Sequence, residues 1–492
     1  MGARQLLCMG LLALLTACGT GHNRELHSEL VARVERNDLD AALEIVRSEN
    51  FFPEERSLLL RQLETATTYY RAGMLSEALG IFNDARRLSD QLFTRSVSAM
   101  LAGAVIDPNL AEFHGARYER SKIRFYQSLI HFKLSFDPEL SAQERGFHRN
   151  ASQNVLREWH SIFPQFRLEA DGRPLFQADM MELLWGAFIH EQTGVAADRQ
   201  IALILYRRAR DVLFRNFNIY PAFNARHGDF IRYFERFETM DRTRIESDFV
   251  EPTHFGTELR AFIDHRIERL GRREERDNVI LLVEDGLVAP KRVREERIPF
   301  NIGYALAADP GMVAWAIIAL PHFIVYEVPY ITPREIPRLE AVMVTATGEH
   351  LPMPLVLASP ISDIAVREVE AGLFIERAAI IARLIAAYTA AAASSYLVYT
   401  QMIANNDTPM GRLIAMASAM ATFRGLEAGI RATNRADLRQ WRLLPSNLRL
   451  GSARFDPGEY TLKILKDTKV IYTRAITIGP DTSFISINLP EA

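Results

Sequence analysis

Cys18 carries the most definite chemistry in this chain. It closes the stretch Leu15-Thr16-Ala17-Cys18, behind an apolar run from Leu6 to Leu15 and a start, Met1 to Gln5, that holds Arg4 and no acid. Small residues before a cysteine, placed behind a short apolar core, form a lipobox. Signal peptidase needs small side chains just before the cut, and Ala17 meets that need. The expected product carries diacylglycerol on the thiol of Cys18 and a third acyl chain on its freed amine. Each buried methylene contributes ~0.8 kcal/mol, so two or more chains anchor stably. The next residue is Gly19, not the Asp that tends to hold such proteins at the inner membrane of diderm bacteria. The expected location is therefore the bacterial outer membrane, lipid-anchored and facing the periplasm.

Other groups capable of chemistry are sparse. The mature part has no cysteine besides Cys18, because Cys8 leaves with the signal. No disulfide, thiolate metal site or cysteine nucleophile is therefore expected. His190-Glu191 lacks a second histidine at metalloprotease spacing. His148 and His160, and His254 and His265, are too scattered to suggest a ligand set. No nucleophile elbow or phosphate-binding glycine loop is present. Glu284-Asp285 has the form of a paired-carboxylate site, but Gly286 follows, and Asp-Gly is a strong hairpin-turn signal. Trp441 with Arg439 could form a ligand edge, although a Trp in an expected strand is more often core. No catalytic residue, metal ligand or cofactor is assigned.

The elements that position these residues fall into two halves. The chain has 492 residues, 48% of them hydrophobic and 24% charged, enough to build several packed cores. The net charge of −3, with near-equal acid and base, gives nothing that favours nucleic acid. From Glu25 to about Leu270, apolar residues recur at helical spacing. Gly73 ends one helix and Leu75 to Leu88 forms the next, with Ala78, Phe82 and Ala85 four and three apart on one face. Upstream, Asn37, Leu39, Ala42 and Val46 match Gly73, Leu75, Ala78 and Phe82 at nearly the ~34-residue period of tetratricopeptide repeats. Downstream, Gly194 precedes Ala202, Tyr206 and Ala209 with the same stripe.

Beyond the charged run Arg272 to Arg276, β-character dominates. Asn278 to Val283, Leu287 to Arg297, Trp315 to Leu320, Phe323 to Val328, Leu339 to Ala346 and Leu355 to Leu357 read as strands. So do Gln440 to Leu444, Leu448 to Arg454, Tyr460 to Leu465, Val470 to Ile478 and Phe484 to Leu489. Between these groups, Leu384 to Ala404 has no charge and is long enough to span a bilayer. Its alanine content reads instead as a soluble helix, paired with Pro409 to Ala432 across a five-residue loop in which Asp407 or Thr408 is the N-cap. Gly425-x-x-x-Gly429 has the spacing of a membrane dimer motif, but Arg412, Arg424 and Glu427 on the same helix speak against a bilayer.

The layout expected is a signal peptide (1–17), a tether (18–24), a tetratricopeptide-like helical domain (25–271), a first β-rich part (277–362), a helical hairpin insertion (363–433) and a second β-rich part (434–492). The fold class is α+β and multidomain: an N-terminal tetratricopeptide-like α-solenoid, then a sandwich-like β-rich domain holding the hairpin. Ala42, Gly73, Ala78, Phe82, Ala85, Ala202, Tyr206 and Ala209 are the repeat-packing residues.

The stretches Tyr118-Glu119-Arg120, Val283-Glu284-Asp285-Gly286-Leu287-Val288, Ile317-Ile318-Ala319-Leu320-Pro321, Ala436-Asp437-Leu438-Arg439-Gln440-Trp441 with Leu444-Pro445, and Pro457-Gly458-Glu459-Tyr460-Thr461-Leu462 resemble those of a poorly characterised family of bacterial lipoproteins. The resemblance implies an envelope location and the same order of a tetratricopeptide-like half and a β-rich half. It implies no activity and no catalytic residues. The chain departs from the family in the hairpin, which is richer in lysine there. The function expected is a non-catalytic, lipid-anchored scaffold or adaptor that binds an envelope protein partner, with binding of a glycan or peptidoglycan strand as the alternative and an enzyme behind both.

Overall fold

The computed structural model describes residues 23–101, 111–162, 179–215, 220–224, 252–299, 323–479 and 482–490. Cys18, the lipobox and the expected strand Trp315 to Leu320 lie outside the described residues. Helices alternate with tight turns through the first half: α1 (residues 23–35), α2 (Leu39–Arg47), α3 (Leu58–Arg71), α4 (Leu75–Leu101), α5 (Arg117–Leu134), α6 (Ala142–Ile162), α7 (Met180–Gln192), α8 (Ala196–Arg215) and α9 (His254–Arg272). The three turn positions matched in the sequence share one backbone state. Asn37, Gly73 and Gly194 have φ of 56°, 78° and 71°. A left-handed residue just past a helix end lets its N–H reach back to the last carbonyls, and only Gly or Asn takes that state readily. At Gly73 nothing lies within 4 Å of where a Cβ would stand, so the dihedral alone selects glycine. Ala42, Ala78, Phe82, Ala85, Ala202, Tyr206 and Ala209 are all fully buried.

Helices α3, α5 and α7 each turn a face to a sheet. Helix α7 is buried from Met180 to Glu191, as a helix apolar on all sides must be. The sheet has strand order β10-β1-β7-β6, where β1 is Val279–Asp285, β6 Leu355–Pro360, β7 Asn447–Ala453 and β10 Ser483–Leu489. β1 runs antiparallel to β7 and parallel to β10. Its unbroken apolar run follows from being covered on both faces. Ile280 and Leu282 join the helical core, while Val279, Leu281 and Val283 face a second sheet. That sheet has order β5-β4-β8-β9, with β4 Leu339–Thr345, β5 His350–Met353, β8 Gly458–Lys466 and β9 Lys469–Ile478. The two sheets pack as a sandwich, Leu339, Ala341, Met343, Leu462 and Ile464 closing on Val279, Leu281 and Ile485. Helices and first sheet therefore share one continuous core. The chain is an α+β protein.

Two local expectations are corrected. Asp285-Gly286 does not close a hairpin, because β1 pairs with β7 and β10, and β2 (Lys291–Pro299) pairs with β3 (Phe323–Ile331). Gly286 is left-handed, with φ of 62°, but its turn leads the chain off the sheet. Its N–H donates to the Leu489 carbonyl, and its own carbonyl accepts from Ser446. Gln440 to Leu444 is not a strand. The N–H groups of Trp441, Arg442 and Leu443 donate to the side chains of Glu119 and Glu64, so carboxylates from the helices supply the acceptors a neighbouring strand would have given.

The hairpin consists of α10 (Ile361–Asn405), a single uninterrupted helix, and α11 (Pro409–Thr433). Thr408 caps α11, its Oγ1 accepting from the Gly411 N–H at 3.0 Å. The base of the hairpin rests on β3 through Ile324, Tyr326 and Val328, packed with Leu373, Leu384 and Tyr388.

Candidate functional site

Neighbouring residues of a strand point to opposite faces, so Glu284 and Asp285 diverge instead of forming a joint acid–base site. Glu284 faces the helices. It accepts from the hydroxyl of Tyr70 at 2.6 Å and from that of Tyr126 at 2.7 Å. Asp285 accepts from Arg449 Nε at 2.5 Å and from Asn447 Nδ2 at 2.6 Å. All four of Tyr70, Tyr126, Glu284 and Asp285 are at most 2% exposed. Burial, then the charge of Glu284, pushes both tyrosine hydroxyls well above their usual range, so they remain donors. The arrangement binds α3 and α5 to the central strand.

Trp441 is core and not a ligand edge. Its indole N–H donates to Thr67 Oγ1 at 2.9 Å, and its ring lies 5.8 Å from that of Tyr126 and 5.9 Å from that of Phe82. Arg439 donates to Asp437 and to the carbonyls of Arg56 and Ala111. It lines a cleft of about 110 Å³ with Asn23, His27, Glu54 and Arg56. That cleft sits where the described chain begins, five residues after Cys18.

His190 and Glu191 take separate partners. His190 meets Asp198 at 2.8 Å, while Glu191 accepts from the Tyr206 hydroxyl at 2.9 Å and pairs with Arg266 at 3.1 Å. Arg266 also pairs with Asp277, which is held besides by Arg269 and Ser452. Burial pulls Arg266 down, but Glu191, Tyr206 and Asp277 more than offset it and hold it above its ordinary value. A neighbouring cleft of about 180 Å³ is lined by Arg199, Arg269 and Arg276 with Glu191, Glu274 and Glu275. Among the described residues, no group of three His, Cys, Asp or Glu is placed to hold a metal ion.

The sequence did not pair His131 with His148, yet their Nδ1 atoms meet at 2.8 Å. One ring must donate and the other accept, so the pair tolerates one bridging proton only. Burial, then the facing ring, lowers His131 from 6.5 to about 4. A histidine lowered on folding adds stability that is full above pH 6.5 and is lost as the pH falls toward 4. The expected loss is about 2–3 kcal/mol. Denaturant melts at both ends of that window should lose this much more for the wild type than for His131→Gln. Equal losses would disprove the coupling.

A different kind of feature is the outer part of the hairpin. Met410, Leu413, Leu397, Ile414 and Ile385 are 65%, 63%, 59%, 50% and 42% exposed. These form the largest group of exposed bulky apolar side chains among the described residues. No known protein family, curated protein or solved structure matches the chain.

Proposed function

We propose that this chain is a lipid-anchored scaffold of the bacterial envelope, acylated at Cys18, held at the outer membrane and facing the periplasm, and performing no chemistry itself. Its helical half is a tetratricopeptide-like solenoid. The shared left-handed turn at Asn37, Gly73 and Gly194 and the buried small–aromatic–small stripes support that reading. The inner face of such a solenoid commonly holds a peptide. In this chain Glu284, Trp441 and Phe484 fill the face of α3, α5 and α7 instead. A protein partner is therefore met by outward surfaces of the helices and not by their sheet-facing side.

The observation that favours a protein partner over a glycan is the burial of Trp159, Trp185 and Trp441, at most 2% exposed. A sugar strand is usually held on exposed aromatic faces. Metabolic labelling with an acyl-chain probe tests the anchor, and labelling that survives Cys18→Ala overturns it. Crosslinking in intact cells, with capture through a C-terminal tag, tests the partner. Reproducible recovery of one envelope protein is expected. Retention on purified peptidoglycan with no protein captured would transfer the reading to the glycan-binding alternative.

A further inference from the structure

We infer that the distal half of the α10–α11 hairpin inserts into a lipid bilayer. Three charges in α11 speak against a bilayer at the Gly425-x-x-x-Gly429 spacing, and the structure places none of them in the middle of the hairpin. Arg412 stands at the tip, where it closes on Asp407 through two hydrogen bonds of 2.6 and 3.0 Å. Arg424 and Glu427 lie at the base, beyond the Tyr388–Phe423 ring contact. From Leu384 to Phe423, Asp407 and Arg412 are the only charged residues, and each neutralises the other.

The apolar helices do not bury this surface in the protein. In the most apolar eighteen-residue stretch of each, only 28% (Ile380–Asn405) and 22% (Pro409–Ala432) of the residues are buried. A helix of that hydropathy in a protein core would be mostly covered. The large side chains Leu397, Met410, Leu413 and Ile414 point outward along the arm instead. From the Tyr388–Phe423 contact to the turn, each arm runs roughly 15 residues, or ~23 Å at 1.5 Å per residue. That is most of the depth of a ~30 Å hydrocarbon core.

Charge resumes abruptly at the base with Arg383, Arg424, Arg431 and Arg435, against the single Glu427. Arg424 and Arg431 both pair with that glutamate, and their side chains stay 60% and 53% exposed. A net-positive collar below an apolar arm matches anionic headgroups above a hydrocarbon layer. Long arginine stems also allow their heads to reach the interface. The polar turn Asn405-Asn406-Asp407-Thr408, with Asp407 paired to Arg412, closes the arm toward the opposite interface. A protein groove would need only one apolar face on the arm, whereas lipid accounts for apolar exposure on both helices together with the basic collar.

The test uses the full chain in vesicles of phosphatidylethanolamine and phosphatidylglycerol, where Cys18 acylation and hairpin insertion are read separately. Leu413→Cys, Leu397→Cys and, as a control on the α7–α8 turn, Val195→Cys (55% exposed) each carry an environment-sensitive dye, with wild-type labelling as background. The dye at Leu413→Cys and Leu397→Cys should shift to the blue, lose most of its emission to doxyl-labelled lipid and resist aqueous iodide. At Val195→Cys it should do the reverse. Quenching by iodide at all three positions, on protein that floats with the vesicles, overturns the insertion while leaving the anchor intact. Protection from both quenchers, with crosslinks between copies, also overturns it and assigns the face to a second copy of the chain. Protein that fails to float yet is otherwise folded disproves anchor and insertion together.

Discussion

Glu284→Ala is expected to lower the unfolding free energy by ~3–5 kcal/mol, read as a shift in denaturant midpoint. Two fully buried hydroxyls, Tyr70 and Tyr126, then lose their only carboxylate, and a cavity opens between helices and sheet. The sharper result concerns combinations. Tyr70→Phe with Tyr126→Phe alone strands the carboxylate and should also destabilise strongly. Joined with Glu284→Leu, the same two changes remove donors and acceptor together, which costs much less than leaving either side unpaired. The triple variant is therefore expected to be more stable than Glu284→Ala. Additive losses would show that the hydroxyl–carboxylate contacts do not couple the helices to β1.

Arg266→Leu is expected to cost a similar ~3–5 kcal/mol, because it leaves Glu191 and Asp277 buried without their shared cation. Burial already raises Glu191, with Arg266 the main opposing influence. Arg266 also lies 4.8 Å over the ring of Phe188, so its loss removes packing on α7. Arg266→Lys should recover only part of the loss, since an ammonium cannot address two carboxylates in a planar fork. A Lys variant as stable as wild type would show that charge alone, not the fork, matters there.

Much of the framework was legible because local chemistry and tertiary packing agree. The left-handed turns of Asn37, Gly73 and Gly194 and the stripes that follow them are encoded within a few residues. Thr408-Pro409 announces a helix start for the same reason, and the doubly covered β1 declares itself by its unbroken apolar run. What escaped was set by distant partners. Asp285-Gly286 carries a true turn signal, but β7 and β10 already occupy both edges of β1, so the turn leaves the sheet. Gln440 to Leu444 has strand-like residues, yet the acceptors for its N–H groups are Glu64 and Glu119, more than three hundred residues away. Spacing along the chain does not reveal that Tyr70 and Tyr126 converge on Glu284, nor that His131 faces His148. The surface of the hairpin was out of reach for a related reason: composition shows two apolar helices, and only the fold shows that Leu397, Met410, Leu413 and Ile414 stay exposed.

The parallel pairing of Val279 with Ser483 sets a timetable. A chain that leaves the ribosome from its N-terminus has completed all eleven helices named above before the strand that flanks β1 arrives. Until Ser483–Leu489 is in place, Trp185 and Phe132 lack Phe484, and their surface is open to any passing chain. Such late, long-range closure makes folding slow and exposed. Folding of this protein is thus a race between placement of Ser483–Leu489 beside β1 and capture of the open face by another chain.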